Sequence, residues 1–379
     1  RKLGIRHYRL SLAGPRIFPT GRGALNRKGL DFCDRLIDAL LDAGITPWVT
    51  MFHWDHPQAM EDIGGWRNRA MPEAFATYAD TIVRAYGDRV KRWMTLNEMR
   101  CFTLLAYGLG ERPPGLKEPD QVVNQSFHHA LLAHGHGVRA VREHGGRGAQ
   151  VGLADDTRIT IPVTELPADI AAARAAFIEM NVRSLDPIFR GGYNADYRRV
   201  TRRDGAKPQR GDGALITQPV DFLGLNAYTG CFVRAGVHGR PEVVELPRNY
   251  PRADPWWQFL MPQVMYWGPR WAHEIYRVKA IYITENGAGY EEEPTASGEI
   301  NDLHRREYVR QCLWELHRAH RDSVPVRGYF LWSFMDNFEW REGYDLRFGL
   351  CRTDYTTQKR TPKLSARWYA QVMKHGRVL

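Results

Sequence analysis

Cysteine is scarce in this chain and never clustered. Cys33, Cys101, Cys231, Cys312 and Cys351 are spread singly through 379 positions. An odd count with no C-x-x-C pair argues against a disulfide framework or a zinc knuckle, and fits reduced thiols in a cytoplasmic protein. Long apolar runs are also missing. No stretch of about 18 apolar residues offers a membrane-spanning helix, and the opening RKLGIRHYRLSLAG holds no apolar segment of signal-peptide length. Neither G-x-G-x-x-G nor G-x-x-x-x-G-K-[ST] follows a strand-like segment, so the common nucleotide-binding loops are excluded. The formal net charge of +10 is carried mostly by arginine. Those arginines are scattered, with YRRVTRRDGAKPQR the densest run and no helical stripe. A solvated basic surface is expected rather than a nucleic-acid or membrane partner.

Strand-like and helix-like segments alternate without a linker. GIRHYRLSL reads as a strand, and NRKGLDFCDRLIDALLDAG then places Leu30, Cys33, Leu36, Ile37, Leu40 and Leu41 on one helical face before Gly44. ITPWVTMFHW, VKRWMTLNE, AQVGLADD, VDFLGLNAY, AIYITE and VRGYFLWSF complete seven strands. Helices are expected in PEAFATYADTIVRAYG, HHALLAHGHGVRAVREHG, ADIAAARAAFIEMNVRSL, LHRREYVRQCLWELHRAH and PKLSARWYAQVMKH. Repeated β-α units mean a parallel sheet covered by helices. With no phosphate loop, a closed (β/α)8 barrel is preferred over a doubly wound sheet, one strand short of the eight it requires. The whole chain, 1–379, reads as one domain, with 191–218 and 229–270 as loops on one rim.

Barrel enzymes take their catalytic groups from the C-terminal ends of several strands. Those ends read His53-Trp54, Asn97-Glu98, Asn226-x-Tyr228 and Glu285-Asn286, with Trp332 and the Glu339-Trp340 pair just beyond. Two glutamates ending different strands are what cleavage of a glycosidic bond requires: one acid for the leaving oxygen, one anion to attack or to direct water. Aromatic rings suit the apolar faces of a sugar, and Asn, His and Glu suit its hydroxyls. Any one of these residues alone is more often core or surface; the set is hard to explain by packing. The run FHHALLAHGHG does not keep His128, His129, His134 and His136 on one i,i+4 face, so a structural role is favoured over metal ligation.

At this point the chain resembles glycoside hydrolase family 1, the β-glucosidase and β-galactosidase group. The matching motifs are YRLSLAGPRIFPTGRG, FHWDHPQAMEDIGGW, WMTLNE, PVDFLGLNAYT, IYITENG and GYFLWSFMDNFEWREGYDLRFGL, extending from residue 1 to about 373. The resemblance implies a (β/α)8 barrel and retaining, exo-acting hydrolysis of terminal β-linked glucose-, galactose- or fucose-type units, with no cofactor and no metal. It makes Glu98 the acid/base and Glu285 the nucleophile. Arg9 would lie beside Glu285, Tyr228 would hydrogen-bond it, and Asn97 would hold the sugar 2-hydroxyl next to Asn226. His53, Glu339 and Trp340 would grip hydroxyls over a Trp332 platform, with Trp54 as wall.

The family pattern begins with a strand carrying Q-I-E-G, and this sequence opens just before what would be strand two. The resemblance therefore implies a longer chain or a gap beside the active site. Gly14 stands where relatives have Trp. Met99-Arg100 replaces the frequent Pro-Trp, adding a cation expected to alter leaving-group preference and to pull the Glu98 pKa down. A sugar-binding barrel without turnover and a transglycosidase are the alternatives.

Overall fold

The computed structural model describes residues 3–379. Seven strands form one sheet in chain order: β1 (His7–Ser11), β2 (Thr46–Phe52), β3 (Arg92–Asn97), β4 (Gln150–Asp155), β5 (Phe222–Asn226), β6 (Ile281–Glu285) and β7 (Val326–Tyr329). Every neighbouring pair is parallel. A helix follows each strand: α1 (Arg27–Asp42), α2 (Ala70–Tyr86), α3 (Asp120–His144), α4 (Pro167–Asn181), α5 (Val264–Tyr276), α6 (Leu303–Arg321) and α7 (Leu364–His375).

The period-2 alternation of the strands sorts side chains to two cores. On β2, Val49 and Met51 face the helices and belong to the main core cluster, whereas Trp48 belongs to a smaller one with Met94, Ala154 and Phe222. That smaller cluster is the interior of a curled sheet. The Trp48 ring of β2 sits 4.8 Å from the Tyr282 ring of β6 and 5.2 Å from that of Phe330 just past β7. Side chains from strands so far apart in sheet order can meet only if the sheet bends round on itself, as in a barrel. At its two edges, β1 and β7 flank a cavity of about 1070 Å³ that reaches Arg9, His53, Thr284 and Trp332.

Three expectations need adjustment. In α1 the buried stripe is narrower than the pattern suggested: Cys33 and Ile37 are buried, but Leu36 and Leu41 are exposed. The segments taken for loops are partly regular. Ala195–Thr201 and Asp212–Ile216 are short helices, and Gly230–Ala235 pairs with Ile159–Pro162 and Pro241–Val243 in a small sheet. Helix α5 was not anticipated because Pro269 stands inside it, where proline removes a helical hydrogen bond and argues against a helix.

The histidine run is structural. Nδ1 of His134 meets Thr95 Oγ1 at 2.7 Å, and His129 Nδ1 meets the Trp66 carbonyl at 2.8 Å. His128 bridges Tyr193 and Asp212 at 2.6 and 2.8 Å. Each finds its own partner within the packing around α3, and burial pushes the His129 and His134 pKa values down to about 4, so both rings are neutral.

Candidate active site

Two register irregularities lie where the strands leave the barrel. One falls between Met94 and Asn97 on the β3–β4 pair, the other between Leu225 and Asn226 on the β5–β6 pair. Such irregularities re-aim side chains that regular alternation would send elsewhere. Here they precede Asn97-Glu98 and pair Asn226 with Glu285. Glu98 itself takes up a left-handed backbone, φ +53°, as do Trp54 at +77° and Trp340 at +50°. Non-glycine residues in that region carry strain of order 1–3 kcal/mol each and concentrate at functional sites.

The side chains form one hydrogen-bonded set. Arg9 Nη1 lies 2.5 Å from Glu285 Oε1, and Arg9 Nη2 donates to Asn97 Oδ1 at 2.6 Å. Tyr228 OH donates to Glu285 Oε2 at 2.9 Å. Asn226 Nδ2 donates to Glu98 Oε1 at 2.7 Å and lies 3.0 Å from Asn97 Oδ1. The Asn226 carbonyl oxygen is held by Thr284 Oγ1 at 2.7 Å, and Asn97 Nδ2 lies 3.2 Å from His53 Nε2. Glu98 and Glu285 thus share a single network through Arg9, Asn97 and Asn226. The sugar-gripping candidates sit alongside. His53 stacks on Trp332 and Trp340 at interplanar angles of 30° and 23°, and Trp332 Nε1 donates to Glu339 Oε2 at 3.1 Å. Trp54 packs on Trp340 with centroids 4.9 Å apart, under the Arg112 guanidinium.

Environment separates the protonation states. Burial, then the charges of Glu285 and Asp156, push the Glu98 pKa well above the usual carboxyl value, outweighing hydrogen bonds from Asn226 and Cys101. Burial raises Glu339 to about 7; Glu285 adds to the rise, while Trp332 and Arg112 oppose it. His53 is driven down to about 3 by burial and by Arg9, so its ring is neutral. Tyr228 is raised well above 10, chiefly by burial, and keeps its donating proton. The net shift of Glu98 is upward in spite of Arg100. The guanidinium does act on the Glu98 charge, but its Nη2 pairs with Asp156 Oδ2, 2.5 Å away, and burial with the charges of Glu285 and Asp156 outweighs it. Gly14 faces open space, with nothing within 4 Å of where a side chain would begin.

All eleven residues given a place in the site from the sequence, Trp54 included, lie at this end of the barrel. Four others were missed: Thr284, Cys101, Asp156 and Gly287. Asp156 directly follows Asp155, the last residue of β4. Gly287 explains the Asn-Gly turn after Glu285, since a Cβ there would collide with the Trp332 carbonyl. The carboxylates of Glu98 and Asp156 and the Cys101 thiol have ligand atoms within 4.8 Å of one another, close enough for a metal ion. Arg100 already supplies the positive charge at that cluster.

The fold and the two-carboxylate site are those of a barrel glycosidase, and comparison with known proteins agrees. The sequence profile of glycosyl hydrolase family 1 matches residues 1–377. A 1,4-beta-D-glucan glucohydrolase of Thermotoga neapolitana is 38% identical over 376 residues, covering 99% of this chain and 84% of that protein. Beta-glucosidase A of Thermotoga maritima is 37% identical over the same length and with the same coverage. The solved beta-glucosidase from Thermotoga maritima in complex with castanospermine superposes with a TM-score of 0.88 at 37% identity, covering 98% of this chain and 83% of that one. The chain belongs to glycosyl hydrolase family 1 and is a glycoside hydrolase of the retaining β-glycosidase class. No helix among the described residues is long and apolar enough to cross a membrane.

Proposed function

We propose that the protein removes terminal β-linked glucose units from small β-glycosides by double displacement, with Glu285 as nucleophile and Glu98 as acid/base. One observation carries the assignment of roles: within one network, Glu285 is held by a cation and a phenol, whereas Glu98 is held by an amide and a thiol in a buried place that favours its protonated form. A buried carboxyl group that favours its proton, beside one paired with a guanidinium, is the arrangement an acid and its partner require.

In the first step Glu285 attacks the anomeric carbon, while the Glu98 proton passes to the departing glycosidic oxygen. Arg9 and Tyr228 keep the attacking oxygens aimed, and Asn97 is placed to take the sugar 2-hydroxyl. Glu98, now ionised, accepts a proton from water, which breaks the glycosyl–Glu285 bond and restores both groups. Trp332 offers the platform, and His53, Glu339 and Trp340 offer hydroxyl contacts that favour a single terminal unit. A glucose-type substrate is supported by the names of the relatives. Five free cysteines support a reducing, cytoplasmic setting, and the main core, which runs from Leu12 to Val324, supports reading the chain as one catalytic domain.

Azide separates the two roles. Glu285→Gly should lose hydrolysis and regain turnover with azide, yielding the α-glycosyl azide, because azide enters from the vacated carboxylate side. Glu98→Ala with azide should yield the β-glycosyl azide from a dinitrophenyl glucoside. The same anomer from both variants would overturn the assignment.

A further inference from the structure

Glu98 leaves β3 in its left-handed conformation, and Met99–Phe102 folds back as a short helix beside the loop after β4. This brings three groups without an assigned role against the acid/base. Cys101 Sγ lies 3.2 Å from Glu98 Oε2 and 3.6 Å from Asp156 Oδ2. Arg100 Nη2 lies 2.5 Å from that same Asp156 oxygen. With Asn226 on Oε1 and Cys101 on Oε2, both oxygens of Glu98 are engaged and its carboxyl plane is fixed.

We propose that Arg100, Cys101 and Asp156 are positioning residues for Glu98: the thiol locks its carboxyl plane, and the Arg100–Asp156 pair sets the field in which its proton is held. This rests on the reading of Glu98 as acid/base. The thiol is suited to donate, because burial and the acidic neighbours Asp156 and Glu98 hold its pKa well above 9, leaving it as S–H. Asp156 alone would bind the Glu98 proton more tightly, and Arg100 offsets that charge. The other charged or titratable groups facing this corner are Asp155 at the end of β4, which burial and then Asp156 raise to about 7, Glu285 from β6, Tyr228 after β5, Arg9 from β1 acting through Asn97, and Arg112 toward Cys101. Asp156 and Arg100 carry opposite charges, so the two halves of the pair must act in opposite senses on the Glu98 proton.

The test is the pH profile of kcat/KM on 4-nitrophenyl β-glucoside. Asp156→Asn should move the alkaline limb to lower pH and Arg100→Met to higher pH, each by about one unit. The double variant should return it toward the parent, and Arg100→Lys should keep the parent profile. Asp156→Asn is nearly isosteric and remains readable if Arg100→Met fails to fold. Cys101→Ala should lower the rate on an alkyl glucoside several-fold more than on a 2,4-dinitrophenyl glucoside, whose leaving group needs no proton, with Cys101→Ser recovering most of the difference. Shifts of one sign, unmoved limbs in folded variants, or equal losses on both substrates would overturn the proposal. Glu98→Ala tells the two readings apart. If it spares the dinitrophenyl substrate relative to the alkyl one while the pair variants move nothing, only the positioning role falls. If it hits both substrates alike, the acid/base reading itself falls.

Discussion

Two of the clusters of buried charge in this molecule are built on opposite plans. At the rear of the loop that carries Glu339 and Trp340, Arg305 lies 2.5 Å from Asp302 and 2.6 Å from Glu292. Lys363 reaches Glu292 at 2.6 Å and Asp336 at 3.1 Å, and Arg347 reaches Asp336 at 2.9 Å. Three cations face three carboxylates, and Asp336 further accepts the backbone N–H of Gly349 and Thr353. At the active site, among the described residues, only Arg9 and Arg100 form ion pairs with the four carboxyl groups of Glu98, Glu285, Glu339 and Asp156, while Arg112 acts on Glu339 from farther away. The balanced cluster ties β6's outgoing loop, the start of α6 and the sugar-side loop into one body. The unbalanced one leaves a surplus of negative charge that protonation must relieve. Charge balance thus marks structure here, and imbalance marks chemistry.

The comparison can be broken experimentally. The largest effect is expected from Glu98→Gln, which should cut turnover of alkyl glucosides by about 10²–10⁴-fold, the usual contribution of a general acid. The same variant should be more stable than the parent at pH 8. A carboxyl whose folded pKa is raised stabilises the fold below its unfolded value and loses that contribution as pH rises, so an uncharged replacement is spared the penalty. Thermal denaturation across pH checks this, and a less stable Glu98→Gln protein at pH 8 would contradict it.

Lys363→Met should do the reverse. Leaving Asp336 and Glu292 buried beside one fewer cation should cost about 3–5 kcal/mol in denaturant unfolding. Because Asp336 anchors the loop bearing Glu339 and Trp340, KM should rise more than kcat falls. A third variant, Glu339→Gln, sharpens the boundary between the clusters. Parent stability should decline between about pH 4.5 and 7, where the unfolded chain ionises this carboxyl while the folded protein still holds its proton, and the variant's curve should be flatter over that window. The smallest effect belongs to the exposed Arg84–Asp80 pair one helical turn apart on α2, where Arg84→Ala should change neither stability nor rate measurably.

Much of this was legible in the chain. Alternating β-α periodicity is a local property, and each of the seven expected strands is present. Glu98 and Glu285 stood out because two glutamates end different strands, where turn residues are usual. Helix α5 was hidden by Pro269, and the regular parts of 191–218 and 229–270 by the lack of repeat. Asp156 has no signal of its own in the chain, since its link to Glu98 runs through Cys101 and Arg100, contacts that only the fold makes.

Sequence alone determined the order of strands and helices, the identity of the family and which side chains crowd the strand ends, because these follow from pattern and residue type at short range. Only the tertiary structure decided which groups touch. Register irregularities, the left-handed turn at Glu98 and the curling of the sheet bring Arg9, Asn97, Asn226 and Glu285 together from four strands. Proton affinity depends on that burial and on charges a few ångströms away, and neither quantity is a property of any one stretch of chain.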